Sequence, residues 1–386
     1  MQKKTVLIAP LNWGLGHATR CIPIIKAFEA AGAEVILASD GVALQLLQRE
    51  FPHLEVFKLP SYNIRYPFPS MILSIAVQMP KILRGVILEY FWLKKYMKTR
   101  NIDVVLSDNR FGFFSKKTYS VFMTHQIQIL MPIKILQTLV NHFNHFFISR
   151  FRACWIPDFE DNDKNMAGDL AHDIFIKNMY KSLKITYLGV LTRMKRFEIP
   201  SKYRAIIVLS GPEPQRTILE KIIINQLENI INNENILYEK RSLEKNRPPQ
   251  YSKPFCLVRG TQEMGNSINE LNKLEIYNLL ITNELNQKMM QSDVVICRSG
   301  YSSIMDLVAL QKPAILIPTP GQTEQIYLAE QLAQQNCIVH QSQDRLNLVE
   351  AFENVKKTKG FTDFSTHFDA YKSRLAQIIS DTLKNS

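Results

Sequence analysis

The chain opens with a strand, a glycine turn and a helix, and this order limits the folds it can adopt. Thr5–Ala9 is an apolar run, Gly14 and Gly16 follow it, and Ala18–Ala31 has the apolar spacing of a helix. Strand, turn, helix and strand in this order are typical of βαβ units in a parallel sheet. Further strands of this sheet are predicted at Glu34–Ala38, Leu54–Leu59, Asp103–Ser107 and Val121–Thr124, with a helix at Val42–Glu50.

The same pattern restarts near residue 204. A helix is predicted at Gln215–Glu228, a polar loop region at 230–250, and strands at Ala205–Leu209, Phe255–Val258, Tyr277–Thr282, Asp293–Cys297 and Ala314–Pro318. The 386 residues suit about two domains. We therefore predict an α/β protein with two similar Rossmann-like domains facing each other across a cleft. The predicted boundaries are 1–188, 189–367 and a C-terminal helical segment at 368–386, which could cross back to the first domain.

Cysteine usage and the apolar segments indicate a protein of the cytoplasm. The five cysteines are scattered without a Cys-x-x-Cys pair, which argues against a disulfide framework and a cysteine-rich zinc site. The apolar run at Thr5–Pro10 is too short for a signal peptide. The longest apolar stretch, Met71–Leu93, is interrupted by polar and charged residues, so no transmembrane helix is predicted.

The first motif is Asn12-Trp13-Gly14-Leu15-Gly16-His17, between a strand and a helix. Glycines at such a turn let the backbone approach a ligand, and the positive end of the helix disfavours an imidazolium. A neutral His17 that accepts a proton is one interpretation, and a histidine that only caps a tight turn is the other. The third glycine of a dinucleotide fingerprint is absent, and no P-loop lysine follows.

Two more motifs follow predicted strands and open helices. One is Cys297-Arg298-Ser299-Gly300-Tyr301-Ser302-Ser303, with Asp306 about one turn later, and the other is Pro318-Thr319-Pro320-Gly321-Gln322-Thr323-Glu324-Gln325. Backbone N–H groups at a helix N-terminus suit a diphosphate, although helix capping alone would explain the serines and Asp306. Such loops all lie at the carboxyl edge of a parallel sheet, where ligands of α/β proteins bind.

These motifs resemble the donor half of family 28 glycosyltransferases, from Asp293 to about Ala329. The matching residues are Arg298-Ser299-Gly300, the carboxylate Asp306 eight residues after the arginine, and Glu324-Gln325. The Gly14–His17 loop is similar to the family's N-terminal glycine loop with its histidine, and Ser210–Gln215 stands at its second glycine-rich loop. The resemblance implies the GT-B fold, which consists of two Rossmann-like domains.

The resemblance also implies roles for single residues. Asp306 would hold the ribose of a nucleotide-sugar, Glu324 and Gln325 the sugar, and Thr282 at a strand end would lie along the base. The diphosphate would be held at Ser210, Gly211, Arg298, Ser299, Gly300 and Ser302. The chain departs from the family where Asp306 replaces a glutamate. It departs again where Pro212 and Pro214 replace glycine and remove N–H donors.

The first domain would then bind the acceptor, with His17 near the acceptor hydroxyl as general base or as an oriented polar contact. Candidate contacts are Asn12, Gly14 and Gly16 in the glycine loop, and Asp108, Asn109, Arg110, His125 and Gln126 at two later strand ends. At the second of these strand ends, His125 is the only residue of the same type as in the family's motif. The alternative is that residues 108–110 form a turn whose polar groups hydrogen-bond to one another.

Neither a metal ion nor another cofactor is predicted, because the nucleotide-sugar is itself the substrate. Asp161-Asn162-Asp163 has the D-x-D form that binds a divalent ion in another glycosyltransferase fold, but no strand leads into it, which favours a solvated loop. His142 and His145 lie three apart on a predicted helix without carboxylates beside them. Packing or exposure is the better interpretation of both.

The formal net charge of +12 indicates an anionic partner. Residues 64–100 hold seven Lys and Arg side chains against one acid, Glu89, among large apolar and aromatic residues. This mixture is typical of a segment at an anionic membrane surface, and an ordinary amphipathic helix is the alternative. The resemblance favours the membrane, since acceptors of that family are commonly lipid-linked. No zinc-finger, RNP-like or helix-turn-helix signature supports nucleic acid.

The sequence thus predicts a metal-independent, inverting glycosyltransferase of the cytoplasm, peripheral on the inner face of the membrane. It would move a hexose or N-acetylhexosamine from a nucleotide-sugar, with UDP expected, to a lipid-linked or cell-envelope glycan. His17 would deprotonate the acceptor, and Arg298 with the helix N-termini would stabilise the departing diphosphate. The alternatives are a nucleotide-sugar 2-epimerase of the same fold and a non-catalytic basic protein that binds lipid or nucleic acid.

Overall fold

The computed structural model of the chain describes residues 3–62, 64, 71–161, 165–172, 183–245, 253–261 and 273–386. These residues form two compact units. The first comprises Met1–Arg193, Ile304–Asp306 and Asp363–Ser386, and the second comprises Met194–Ser303 and Leu307–Thr362.

The first unit contains a seven-stranded parallel sheet in the order β3-β2-β1-β4-β5-β6-β7. Its strands are β1 Thr5–Pro10, β2 Glu34–Ser39, β3 Glu55–Lys58, β4 Val104–Asp108, β5 Tyr119–Met123, β6 Ala153–Ile156 and β7 Lys184–Tyr187. Its helices are α1 Gly16–Ala30, α2 Gly41–Glu50, α3 Met71–Tyr96 and α4 Lys134–Ile148. Every residue of β1, β4 and β5 is buried, as expected for strands covered on both faces of a parallel sheet.

The second unit contains a six-stranded parallel sheet in the order β10-β9-β8-β11-β12-β13. Its strands are β8 Tyr203–Val208, β9 Phe255–Val258, β10 Leu274–Tyr277, β11 Ser292–Cys297, β12 Ala314–Leu316 and β13 Val339–His340. Its helices are α5 Gln215–Lys245, α6 Thr282–Met290, α7 Tyr301–Leu310, α8 Thr323–Gln334 and α9 Leu348–Val355, with one turn of α7 grouped with the first unit. One apolar core joins α5 and α9 to this sheet.

The last helix, α10 Ser365–Lys384, belongs to the first unit. The hydroxyl of Tyr371 accepts a hydrogen bond from the backbone N–H of Glu160 (2.9 Å), and Arg374 pairs with the Glu160 carboxylate (3.0 Å). At the chain end, Lys4 Nζ donates to the Ser386 carbonyl oxygen (2.8 Å). Two parallel α/β sheets and a C-terminal helix confirm the predicted fold class.

Two elements contradict the sequence prediction, and the strands β6, β7 and β13 were not predicted. Helix α5 continues to Lys245, through most of the predicted polar loop, because residues 229–245 contain no Gly or Pro and are rich in good helix formers such as Glu, Lys and Leu. The strand predicted at 277–282 is also wrong, since β10 ends at Tyr277. Thr282 instead begins α6, where the Ile281 N–H donates to the Glu284 carboxylate (3.3 Å) and caps the helix.

Candidate functional site

The carboxyl edge of the first sheet gathers several of the predicted acceptor residues. His17 is the second residue of α1, Asp108 ends β4, and His125 stands two residues after β5. Because β1, β4 and β5 are neighbours in the sheet, their carboxyl ends bring these side chains to one place.

A buried arginine, Arg20, joins these side chains into one polar cluster. His17 Nδ1 lies 3.0 Å from Asp108 Oδ1, and Arg20 Nε donates to Asp108 Oδ2 (2.8 Å). Arg20 also donates through Nη1 to His125 Nδ1 (2.8 Å), and its Nη2 lies 2.9 Å from His17 Nδ1. Burial alone would raise the pKa of Asp108, but Arg20 and His17 outweigh it and hold that pKa well below its usual range. Asp108 is therefore a permanent anion.

His17 is kept neutral by its surroundings. Burial lowers its pKa most strongly, Asp108 opposes that effect, and the positive charge of Arg20 adds to it. The net shift is downward from the ordinary value, so the imidazole is uncharged at neutral pH. A neutral histidine beside a fixed carboxylate is suited to accept a proton.

Asp108 and Arg110 lie inside the protein, which corrects their prediction as acceptor contacts. Both side chains are completely buried. Arg110 forms ion pairs with Asp40 and Glu89, and its Nε donates to the Pro10 carbonyl oxygen (2.9 Å). Both side chains turn inward because each neutralises opposite charges that are also buried.

The other predicted acceptor residues shape the loops around this cluster. Asn12 caps α2, since its Nδ2 donates to Asp40 (3.2 Å) and its Oδ1 accepts from the Ala43 N–H (3.3 Å). Gly14, with φ +78°, is exposed in the turn before α1, and Gly16 opens the helix. Asn109 adopts a left-handed conformation, and Gln126 is half-buried behind β5.

The carboxyl edge of the second sheet brings together three loops, which follow the adjacent strands β8, β11 and β12. Arg298 is buried at their centre. Its Nη1 donates to the carbonyl oxygens of Ile317 (3.3 Å) and Pro318 (3.0 Å), and its Nη2 to Gln215 O (2.9 Å) and Gln343 Oε1 (2.7 Å). Arg298 therefore holds the three loops in place, a role that the sequence did not predict.

Two polar atoms in this place lack partners within the described residues: Arg298 Nε and Thr319 Oγ1. Both face Gly211, where an added Cβ would lie 3.4 Å from Thr319 Oγ1 and 3.9 Å from Arg298 Nε. Burial lowers the pKa of Arg298 to about 10. A buried cation whose hydrogen bonds go only to neutral oxygens favours an anion beside it.

The remaining donor candidates fall into two groups. Ser299 is buried and donates to the Gln325 carbonyl oxygen (2.7 Å), while Gln325 Oε1 accepts from the Thr319 N–H (2.8 Å). These contacts join the loops before α7 and α8. Helix α7 begins beside Gly300 and Ser302, α8 begins beside Glu324, and Ser210 is exposed beside Gly211.

The last two donor candidates are Asp306 and Thr282. The Asp306 carboxylate accepts a hydrogen bond from the Thr192 hydroxyl, both within the first unit, and burial raises its pKa to about 6. Thr282 follows β10, the outermost strand, rather than β11.

The ribose role of Asp306 stays a prediction, which substitution tests. If its carboxylate holds the ribose hydroxyls, Asp306→Ala weakens UDP binding by about tenfold, the effect of one lost charge-assisted hydrogen bond. Calorimetric titration with UDP measures the change. An unchanged affinity assigns Asp306 to the contact with Thr192 alone.

The sequence did not indicate that Thr319 and Arg20 belong to the candidate sites. Thr319 stands between two prolines in a motif that was recognised, but the motif alone did not single it out. Arg20 occurs among the apolar residues of α1, three positions after His17. A charged residue on a buried helix face is the signal that could have revealed it.

Within the described parts of the chain, no group of three or more His, Cys, Asp or Glu side chains is placed to hold a metal ion. The predicted D-x-D segment lies partly outside the described residues, which include Asp161 but not 162–164. His142 is exposed on α4, whereas His145 is buried with Nε2 3.2 Å from the Ile127 carbonyl oxygen.

Comparison with known proteins gives the same family as the motifs. Residues 233–367 match the model of the glycosyltransferase family 28 C-terminal domain. The UDP-N-acetylglucosamine--N-acetylmuramyl-(pentapeptide) pyrophosphoryl-undecaprenol N-acetylglucosamine transferase of Clostridium botulinum strain Loch Maree is 22% identical over 314 residues, covering 78% of this chain and 75% of the relative. The enzyme of the same name from strain Langeland is 23% identical over 316 residues, with the same coverage.

Solved structures of glycosyltransferases have the same fold. The glycotransferase of kitacinnamycin superposes with a TM-score of 0.65 at 14% identity, over 99% of this chain and 100% of that one. Acinetobacter baumannii MurG superposes with a TM-score of 0.52 at 11% identity, over 100% of both chains. The chain is thus a glycosyltransferase with the GT-B fold, in which residues 233–367 match the family 28 C-terminal domain.

Proposed function

We propose that this glycosyltransferase moves a hexose or N-acetylhexosamine from a UDP-sugar to a lipid-linked or cell-envelope glycan, with inversion at the anomeric carbon. The observation that carries the chemistry is the neutral His17 beside the permanently ionised Asp108 at the start of α1. The substrate class is supported by the similar Clostridium botulinum transferases, whose name specifies a UDP-N-acetylglucosamine donor and a pyrophosphoryl-undecaprenol acceptor.

In the proposed step, His17 Nδ1–H donates to Asp108, so that Nε2 carries the free electron pair. The acceptor hydroxyl gives its proton to Nε2, and its oxygen attacks the anomeric carbon. The bond between that carbon and the β-phosphate oxygen breaks, and UDP leaves with the electron pair. Asp108 stabilises the imidazolium that forms, which makes it a positioning residue rather than a base.

The leaving diphosphate would lie against the loops around Gly211. Arg298 Nε and Thr319 Oγ1 are buried donors, and the absence of a side chain at Gly211 leaves room for a phosphate to approach them. N–H groups at the start of α7, beside Gly300 and Ser302, would add further donors. The preorganised positive charge of Arg298 then stabilises the charge that develops on the leaving group.

Thr319→Val tests this assignment with little risk to folding. Valine keeps the shape of the side chain and removes a buried hydroxyl that has no partner among the described residues. Folding stability therefore stays equal or rises, whereas UDP affinity falls about tenfold, because the diphosphate loses a donor. Thermal unfolding and calorimetric titration of the same sample measure the two effects.

Thr382→Val is the matched control. Thr382 is equally buried but lies in α10, where its hydroxyl donates to the Ile378 carbonyl oxygen (2.8 Å). This variant keeps wild-type UDP affinity. Equal affinity of Thr319→Val and the wild type would remove Thr319 from the diphosphate site.

A calorimetric panel of nucleoside diphosphates and sugar donors tests the proposed function as a whole. Preference for UDP and its sugars is the expected result. Incubation of the labelled donor with membrane extract would then reveal the acceptor. If no nucleoside diphosphate binds, the proposal is wrong.

The proposed place of action is the inner face of the cytoplasmic membrane, which α3 would contact. Lys81, Arg84, Lys94 and Lys95 are exposed on this helix, as are several large apolar side chains, among them Ile87 and Phe91. Its one acid, Glu89, is buried against Arg110. The outward face of α3 therefore combines positive charge with apolar surface, which suits anionic lipid. None of the helices in the described parts of the chain is long and apolar enough to span a membrane.

A further inference from the structure

Arg20 reaches three side chains of the polar cluster through one planar guanidinium. Its side chain is buried on α1, about one turn after His17. Nε and Nη2 donate side by side to the two carboxylate oxygens of Asp108, and Nη1 donates to His125 Nδ1 (2.8 Å). Because the guanidinium is a rigid fork, it holds the carboxylate and the His125 ring in one fixed arrangement.

The contact with Arg20 fixes which nitrogen of His125 carries the ring proton. A guanidinium offers only N–H donors, has no acceptor atom and stays charged in proteins. His125 Nδ1 must therefore accept from Arg20 with its lone pair, so the ring proton lies on Nε2. Both side chains are buried, which keeps bulk water from competing for this contact. A group that binds His125 through Nε2 is then a hydrogen-bond acceptor, such as a hydroxyl, ether or carbonyl oxygen of a sugar.

His17 has the opposite tautomer, because its Nδ1 faces an anion. Asp108 is ionised and offers only acceptors, and its Oδ1 lies 3.0 Å from His17 Nδ1. A lone pair on Nδ1 would repel that oxygen, whereas a proton there completes a charge-assisted hydrogen bond. Arg20 Nη2 also lies near Nδ1 (2.9 Å), but it donates to the same Asp108 oxygen and does not depend on a lone pair of His17. The proton of His17 therefore lies on Nδ1, and Nε2 carries the lone pair.

The contacts of Asp108 agree with this assignment. An ionised carboxylate has about four lone-pair sites, and a thiol is a weak donor. Oδ1 meets Arg20 Nη2 and His17 Nδ1. Oδ2 meets Arg20 Nε (2.8 Å) and Cys21 Sγ (3.6 Å). Two donors thus face each oxygen when His17 carries its proton on Nδ1, which compensates the complete burial of this carboxylate.

We propose that Arg20 is a positioning residue that sets the two histidines of the cluster in opposite tautomers. His17 then accepts a proton at Nε2, whereas His125 donates a hydrogen bond from Nε2. Arg20 orients Asp108 toward His17 through Nε and Nη2, and it fixes His125 through Nη1. The tautomers are properties of the folded chain, but their catalytic purpose rests on the proposed function. The sugar acceptor would present a hydroxyl to His17 and an accepting oxygen to His125.

NMR of the full chain with nitrogen-labelled histidine tests the tautomers directly. Long-range correlations between ring protons and ring nitrogens distinguish Nδ1–H from Nε2–H in a neutral imidazole, and His17→Ala and His125→Ala assign the two rings by loss of their signals. In slightly alkaline buffer His17 is neutral, because burial lowers its pKa. We expect Nδ1–H in His17 and Nε2–H in His125. A proton on Nε2 of His17 or on Nδ1 of His125 overturns the proposal.

Arg20→Lys tests the positioning role. Lysine keeps a positive charge beside Asp108, but one ammonium cannot donate along both carboxylate oxygens and to His125 Nδ1 at once. We expect His125 to populate both tautomers. Turnover with a labelled UDP-sugar falls about 10–100-fold, because a slightly misplaced catalytic group can cost about 10² in rate. UDP affinity stays at the wild-type value, since the proposed diphosphate site lies in the other unit.

Arg100→Lys is the matched control, because Arg100 bridges the carboxylates of Glu34 and Glu55 at the surface. This variant keeps both tautomers and the wild-type turnover. If Arg20→Lys keeps them too, the charge of Arg20 suffices and the positioning role is wrong. The wild-type spectrum decides the tautomers even if Arg20→Lys is too unstable to assay. A wild type with the expected tautomers that transfers sugar from no donor would refute the proposed function alone.

Discussion

His17→Ala lowers the turnover number for sugar transfer by about 10²–10⁴-fold and leaves UDP affinity within about twofold of the wild type. The range is that of a lost general base. His17 belongs to the cluster with Asp108 and Arg20 in the first unit, whereas the proposed diphosphate site lies in the second. Initial rates with a labelled UDP-sugar and calorimetry with UDP measure the two quantities.

The pH profile gives a second, independent readout. The base must be neutral, and burial lowers the pKa of His17 below its ordinary value of 6.5. The wild-type transfer rate therefore reaches half its plateau only below pH 6.5, because His17 becomes protonated there. The residual rate of His17→Ala lacks this fall at acid pH.

His53→Ala is the control for a lost imidazole, since His53 is exposed and pairs with Glu29 on the surface (2.7 Å). It keeps the wild-type rate and profile. If His17→Ala loses UDP binding but keeps its turnover, His17 is not the base.

Arg110→Met lowers the free energy of unfolding by about 3–5 kcal/mol at neutral pH, the cost of leaving buried charge without its partner. Arg110 is completely buried between Asp40 and Glu89, and Tyr62 donates to the same Glu89 carboxylate (2.6 Å). Burial raises the pKa of Glu89 even with Arg110 present. Urea unfolding followed by circular dichroism measures the change.

Arg100→Met is the matched control. Arg100 also bridges two carboxylates, Glu34 and Glu55, but its side chain is 32% exposed, so its removal costs about 1 kcal/mol or less. Equal losses in the two variants would mean that the ion pairs of Arg110 contribute no more than surface pairs do.

The central strands of both sheets could be predicted from the sequence, because buried parallel strands are continuous apolar runs. Thr5–Ala9, Asp103–Ser107 and Ala205–Leu209 were each recognised within two residues of their observed bounds. The helix at 230–245 was not recognised, because its Asn and Glu content suggested a loop although nothing in it breaks a helix. Thr282 was assigned to a strand because an apolar run precedes it, while Glu284 caps a helix there.

The candidate site was harder to predict, because its chemistry depends on which charges meet inside the fold. The glycine turn pointed to His17, but the role of Asp108 follows from the pairing of β4 with β1, which places Asp108 beside Pro10, and from the packing that brings His17 Nδ1 within 3.0 Å of the Asp108 carboxylate. Arg110 lies two residues after Asp108 at the same strand end, but it forms ion pairs with Asp40 and Glu89 instead of contacting His17. A role for Thr319 could be inferred only from the structure, where its hydroxyl faces the backbone of Gly211.

The contacts of Arg298 also bear on the entropy of donor binding. Its guanidinium already donates to the oxygens of Ile317, Pro318, Gln215 and Gln343. Ordering a long side chain on binding costs about 0.5–1.5 kcal/mol, and this cost does not arise for a side chain that the fold already holds in one rotamer. The arginine would therefore meet a diphosphate without losing rotamer freedom, so the entropy is lost when the domain folds rather than when the donor binds.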